Sequence, residues 1–449
     1  MIALQIHLAV DLLKHYFSGL KNVTMNKLFS ISFLLLLSVL VRAQTTREEF
    51  FSDDRHAGGV YQQYIYVKTP VTPAPQGYRP FYISHYGRHG SRWLTSPDAY
   101  NDPCNILGQA HDAGKLTALG ESLYERIKIV SANAYRRYGD LSELGVIEHR
   151  GIAERMFYSF PEVFSTSTGR QCNIYSRSTT VPRCILSMAA GNERLKELNP
   201  EINITREASA RNNYLNNTYG LSDRDSLYAV TYSFFEKNFD TEHFISLIFT
   251  DSVYVREHIL SPLSFINDLY SIAADLQDII DLNITMADVF TSEELFVLWQ
   301  ASNMRRYFLF TGKEARDSSK LLLRDILDCA EDAIEGNNIS ADLRFGHDSY
   351  ISPLLALMDI NGILKEESDI EKIYKSWSDF KVSPMGANLQ LIFYRNDRTG
   401  DVIVKVLHNE KEAEIPVATD IPAFYHWKDF KAYYERKLGN QPAPDNPCL

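Results

Sequence analysis

A basic surplus is the first thing this chain of 449 residues lacks: 46 Lys and Arg stand against 57 Asp and Glu, a formal charge of −11. A surface of that sign does not gather nucleic acid or an anionic membrane by long-range attraction. No tract of interleaved basic and aromatic residues offers a local substitute, so no nucleic-acid partner is expected. Any anionic ligand has to be captured by a local pocket. Cysteine is sparse as well. The five residues Cys104, Cys172, Cys184, Cys329 and Cys448 form no C-x-x-C pair and have no histidines at zinc-ligand spacing, so no metal is expected. Two disulfides with one thiol left over, or five small buried side chains, both agree with the spacing, which fixes no pairing. Internal repeats and long low-complexity tracts are absent too. What is abundant is core material, 45% hydrophobic and 12% aromatic residues, enough for a globular protein of one or two domains.

The chain also lacks an apolar run of the roughly 20 residues that cross a bilayer. Its longest, Leu28 to Val41, follows Lys27 and leads to the small residue Ala43. A positive start, an apolar centre and a small residue make up a secretory signal peptide, with cleavage expected after Ala43. The expectation is therefore an exported protein, periplasmic or secreted, with no stable membrane span. Residues 1–24 fit no part of such a signal, which points to Met25 as the start of translation.

Beyond a polar lead-in with Pro70, Pro73 and Pro75, apolar periodicity sets out an α/β fold. Pro80 to His85 reads as a short buried strand broken by Gly87, and Asn173 to Ser176 as a second. Helices are predicted from the cap Thr117, from the cap Ser142 through Tyr158, and from about Val181 to Leu198. From Glu201 to Glu335 the spacing is helical with little strand character. A strand resumes at Ala341 to Gly346, a helix follows from Ser349 to Met358, and Asn388–Tyr394 and Val402–Leu407 flank a hairpin turn. The expected architecture is a three-layer α/β/α domain with a central, mostly parallel sheet and a helical cap insertion. Its boundaries are 1–43 for the signal, 44–200 for the first part of the core, 201–335 for the cap and 336–449 for the second part.

The chemistry concentrates in Arg88-His89-Gly90-Ser91-Arg92 at the end of the first strand. A neutral imidazole is a competent nucleophile, and guanidinium groups offer paired donors that match phosphate oxygens. Gly90 lets the backbone approach a bound group closely. Arg177 ends the second strand and is placed at the same end of the sheet, where α/β folds bind ligands. Arg183 is read as structural, paired with an acidic neighbour. Asp348, directly after His347, is an acid that a bound anion would keep protonated, or alternatively a helix cap.

Together with Leu116–Gly120, Ile174–Thr179, Gly346-His347-Asp348 and Asn388-Leu389-Gln390, this block resembles the histidine acid phosphatases, marked by R-H-G-x-R and a distant H-D. The resemblance implies that His89 becomes phosphohistidine, that Arg88, Arg92, Arg177 and His347 grip the phosphate, and that Asp348 protonates the leaving oxygen, with no cofactor. Glu148-His149, followed by Arg155-Met156, resembles a helix of the multiple inositol polyphosphate phosphatases. There are two departures. Leu94 stands where much of the family has proline, and His347-Asp348-Ser349 where that subgroup has His-Ala-Glu, so that the acid resembles the pattern of phytases and glucose phosphatases. The substrate implied is a small phosphate ester, with inositol polyphosphates such as phytate ahead of sugar phosphates or a broad acid phosphatase range. A binding protein that has lost catalysis is the reading from another class. The N-terminal sequence of the exported protein should begin at Gln44; a mature terminus before Met25 would overturn the signal-peptide assignment.

Overall fold

The computed structural model describes residues 47–167, 171–216, 224–364, 367 and 369–444. The expected signal peptide and Cys448 lie outside them. Strands β1 (Tyr78–Arg88), β2 (Asn173–Ser178), β3 (Asn203–Ala208), β4 (Ile339–Gly346), β5 (Asn388–Asn396), β6 (Val402–His408), β7 (Lys411–Glu412) and β8 (Tyr425–His426) form one sheet. Its order is β3-β2-β4-β1-β5-β6-β7, with β8 also paired to β6. The run β3-β2-β4-β1 is parallel, and β5 and β6 continue it antiparallel.

Side chains alternate across this sheet with the period of two that strands impose. On one face Ile83, Ile174, Leu343, Phe345 and Ile392 pack with Met156 and Met188. On the other, Tyr82, Tyr86, Leu391, Phe393 and Val404 pack with Leu323, Ile326, Leu327 and Phe430. Helices therefore cover both faces, giving the three layers expected. Before β2 come α1 (Asp98–Asp112), α2 (Ala118–Ala134) and α3 (Glu143–Ser159); α4 (Pro182–Leu198) follows it. The hydroxyls of Thr117 and Ser142 accept the N–H of Gly120 and Gly145, so both predicted caps start their helices.

The long excursion between β3 and β4 carries α5 (Arg224–Asn238), α6 (Thr241–Ile248), α7 (Ser252–His258), α8 (Pro262–Asp275), α9 (Ser292–Thr311), α10 (Lys313–Ser318) and α11 (Lys320–Glu335). Two features revise the expected span of 201–335. β3 belongs to the sheet, and α11 packs on β1 and β4, so the helices outside the layers run from α5 to α10. The strand escaped sequence reading because it lies at the sheet edge, where Asn203, Thr205, Arg206 and Ala208 face solvent and leave no apolar alternation. A second core, built on Trp93, Tyr100, Leu123, Phe244, Phe265 and Trp299, joins α1 and α2 to these helices. After β4 come α12 (Asp348–Met358) and α13 (Trp427–Leu438). Cys104 and Cys184 are free thiols and Cys329 is disulfide-bonded, which rules out two bridges.

A charged cluster crosses the apolar layer between the sheet and α11. Asp325 Oδ1 lies 3.0 Å from Arg177 Nη1, and its Oδ2 lies 2.5 Å from Arg344 Nε. Asp342 Oδ1 takes Arg177 Nη2 at 3.1 Å, while Tyr82 donates to its Oδ2 at 2.8 Å. All four charged side chains are buried. Removing one partner would leave uncompensated charge in the core. Asp325→Ala should therefore lower unfolding free energy by about 3–5 kcal/mol in chemical denaturation. Asp317→Ala, in a more exposed pair with Lys313, should cost less than about 1 kcal/mol.

Candidate functional site

β1 and β4 run parallel with Arg88 opposite Gly346, so the residues that follow them, His89 and His347, emerge side by side. The chain leaves β1 for β2, beyond β4, and leaves β4 for β5, beyond β1. His89 and His347 thus sit at the carboxyl ends of parallel strands, where α/β folds bind ligands. The His89 and His347 rings lie 5.6 Å apart between centroids, at 71°.

The loop carrying His89 is pressed onto the start of α3. A Cβ on Gly90 would stand 2.6 Å from the carbonyl oxygen of Gly145, and one on Gly145 2.3 Å from that of Ser91. Glycine is needed at both positions for this approach. The Gly90 N–H donates to Ser187 Oγ at 3.1 Å, and the Ser91 N–H to Glu148 Oε2 at 2.7 Å. His89 Nδ1 lies 2.9 Å from the Gly90 carbonyl oxygen, which can only accept. The ring hydrogen is therefore on Nδ1 and the free lone pair on Nε2. Burial, reinforced by the charges of Arg88, Arg183 and Arg92, holds the His89 pKa well below its usual value, so the ring stays neutral.

Three arginines, Arg88, Arg183 and Arg92, bear on this imidazole, and a fourth, Arg306, reaches the neighbouring Asp348. Arg88 is anchored through Nη1 to the carbonyls of Val60 and Ser383, at 2.5 and 2.7 Å. Arg92 donates to the Trp93 carbonyl and stacks 5.3 Å from the Tyr61 ring. Arg183 Nη2 lies 3.4 Å from His347 Nδ1, and Arg306 Nη1 lies 3.2 Å from Asp348 Oδ2. Arg88 Nε and Nη2, and the Nε groups of Arg92, Arg183 and Arg306, are buried with no hydrogen-bond partner among the described residues. Guanidinium donors in that condition call for an anion.

Asp348 is the first residue of α12, with Arg88 Nη2 3.9 Å and Arg306 Nη1 3.2 Å from its Oδ2. It does not cap the helix, since His347 occupies the cap position and makes no side-chain cap bond. Burial raises its pKa, but Arg88, Arg306 and Arg92 outweigh that and the net shift is downward, so the carboxyl is ionised while the arginines are unliganded. His347 is pushed down to about 3, first by burial and then by Arg183. Thr179 Oγ1, 3.3 Å from its Nε2, meets the other side of the ring.

Of the residues selected from sequence, Arg88, His89, Arg92, His347 and Asp348 come together and Arg177 does not. Its position on β2 turns it to the α11 face, where Asp325, Asp342 and the Tyr214 hydroxyl at 2.6 Å hold it in the cluster described above. Arg183 takes the place assigned to Arg177, which corrects its reading as a paired structural residue. A signal for this existed: Arg183 lies in the first turn of the helix after β2, the end of a helix that faces ligands in α/β folds. Arg306, deep in the helical excursion, carried none.

The sequence matches the model of the histidine phosphatase superfamily (branch 2) over residues 188–409. That span holds His347 and Asp348 but not the Arg88–Arg92 block. No curated protein matches the chain. Among solved structures, the multiple inositol polyphosphate phosphatase of Bifidobacterium longum in complex with inositol hexasulfate superposes with a TM-score of 0.71 at 18% identity, over 87% of this chain and 99% of that one. The phytase of D. castellii superposes with a TM-score of 0.61 at 16% identity, over 86% and 85%. Both likenesses are of fold. Arg183→Ala should weaken inorganic phosphate binding at least about tenfold, the scale of one lost charged hydrogen bond, with little change in Tm. Arg177→Met should lower Tm. Equal phosphate affinity in Arg183→Ala and the unchanged protein would remove Arg183 from the site.

Proposed function

From a chain that belongs to branch 2 of the histidine phosphatase superfamily, we propose a hydrolase of phosphate monoesters that works through a phosphohistidine on His89 without a metal. The observation that carries this reading is the Nε2 lone pair, left free by the Nδ1 bond to Gly90, on an imidazole whose neighbours Arg88, Arg183 and Arg92 keep buried donors with no partner among the described residues. Such an array stabilises the charge on the three non-bridging oxygens of a transferring phosphoryl group.

In the first step His89 Nε2 bonds to phosphorus, the ester P–O bond breaks, and Asp348 gives its proton to the departing alkoxide. Water then attacks phosphorus, the P–N bond breaks, Asp348 takes the water's proton, and phosphate and neutral His89 result. Asp348 is ionised in the unliganded site, so its proton arrives with the substrate. The bound phosphate offsets Arg88 and Arg306, which otherwise hold the carboxyl deprotonated.

For the substrate we favour inositol polyphosphates. Arg305, beside Arg306 on α9, has a buried Nε without a partner among the described residues and stacks 5.5 Å from the Tyr228 ring. Positive charge thus extends from the nucleophile onto the helical excursion, which suits a substrate with further phosphates. A sugar phosphatase or broad acid phosphatase is the second reading. Phosphate release from phytate, glucose 1-phosphate and an aryl phosphate separates them. The expected signal peptide would place this activity in an exported compartment.

His89→Ala should abolish turnover and the labelled phosphoenzyme trapped on brief exposure to substrate. Asp348→Asn should slow phosphoenzyme formation by about 10²–10⁴ for alkoxide leaving groups, and much less for an aryl phosphate, whose leaving group needs no proton. Full activity in purified His89→Ala would overturn the mechanism, and a binding protein without catalysis would form no phosphoenzyme at all.

A further inference from the structure

Ser91 lies two residues beyond the nucleophile, between α3 and the turn that follows α8. Its Oγ is 2.9 Å from Glu148 Oε1 and 2.8 Å from Asp278 Oδ1. A hydroxyl has one hydrogen to give, and an ionised carboxylate has none. Both contacts are hydrogen bonds only if one of the two carboxyl groups carries a proton.

The surroundings decide which. Glu148 already accepts the N–H of Tyr64 on Oε1 and that of Ser91 on Oε2, both at 2.7 Å, which suits the ionised form. Asp278 is buried, and its Oδ2 has no partner among the described residues. As a carboxylate it would hold a bare charge in the core; as an acid it leaves only a carbonyl unpaired. Asp275, at the end of α8, faces it and accepts the Leu94 N–H and the Tyr100 hydroxyl on Oδ2, each at 3.1 Å. Arg92 faces Asp275 and Asp278, and Arg88 bears on both Glu148 and Asp278. Three buried carboxyl groups around so little positive charge favour one neutral member.

We propose that Asp278 is a positioning residue held as the neutral acid, donating to Ser91 Oγ while Ser91 donates to Glu148, so that one proton fastens the helical excursion to the nucleophile loop. Burial, then the charges of Asp275 and Glu148, push the Asp278 pKa well above its usual value. A folded pKa above the unfolded one contributes stability that is complete below the unfolded value and is lost as pH rises through the folded value. Loss of the proton turns the Asp278 contact into repulsion from Glu148 and Asp275, and frees the segment between His89 and Arg92.

Asp278→Asn supplies a donor at every pH and provides the test. Tm of the variant minus Tm of the unchanged protein should rise between about pH 5 and pH 9. The alkaline limb of kcat/KM on an aryl phosphate should move up by at least about one pH unit, the shift expected when a proton-dependent contact is made permanent. A Tm difference independent of pH, with an unmoved limb, would overturn the proposal. Should Asp278→Asn fail to fold, infrared spectra give a second route. A carboxylic-acid carbonyl band at neutral pH that shifts in Ser91→Ala supports the shared proton, and the lack of any such shift overturns it. The Tm and infrared readings need no turnover, so their failure is distinct from failure of the phosphatase reading.

Discussion

Holding several guanidinium groups out of water beside one imidazole is unfavourable until an anion joins them, and this constraint organises the protein. Arg88, Arg92, Arg183 and Arg306 come from the end of β1, the loop after it, the first turn of α4 and the middle of α9. Backbone carbonyls and the Tyr61 ring hold Arg88 and Arg92, and all four guanidinium groups bear on Asp348 while keeping donors without a partner among the described residues. Elsewhere the balance differs. Arg177 and Arg344 are fully buried, and Asp325 and Asp342 together compensate them. The same residue type is thus matched one for one by carboxylates in the core cluster, whereas at the strand ends four of them face Asp348.

This contrast explains what was legible in the sequence. Strand ends, helix caps and the Arg88–Arg92 block are local features, set by residues a few positions apart, and they were readable. Choosing between Arg177 and Arg183 depended on which face of β2 meets α11, and on the carboxylate that α11 brings there. Asp325 is far from both in sequence, and its role emerges only once the layers are assembled. Arg306 was hidden for a related reason, as one charge among several on a helix with no marked apolar face, whose partner, Asp348, enters from another element. The edge strand β3 gave no periodicity because solvent covers most of it.

Burial alone does not set the histidines apart. His85 and His149 face each other across a small apolar cavity under the sheet, pushed down to about 3 and about 4, first by burial. They pack against Phe345 as neutral rings. The pKa of His89 is shifted in the same direction for the same leading reason, with Arg88, Arg183 and Arg92 adding to it. Neutrality is therefore common to the buried imidazoles, and what distinguishes His89 is the glycine-permitted loop that fixes its tautomer and the positive charge around it.

The position of the acid follows from the same electrostatics. At the first residue of α12, Asp348 sits in the positive field of the helix N-terminus as well as beside Arg88 and Arg306. A carboxyl placed there is a poor acid in the unliganded site, because everything around it favours the carboxylate. On the proposed mechanism, a phosphate dianion reverses the balance by satisfying the guanidinium donors that Asp348 faces, and the proton becomes available beside the leaving oxygen. Proton donation is then coupled to occupancy: the group that completes the arginine cluster is the group that makes Asp348 an acid. One residue further along α12, a carboxyl would point about 100° around the helix axis from Asp348, away from its present approach to Arg306.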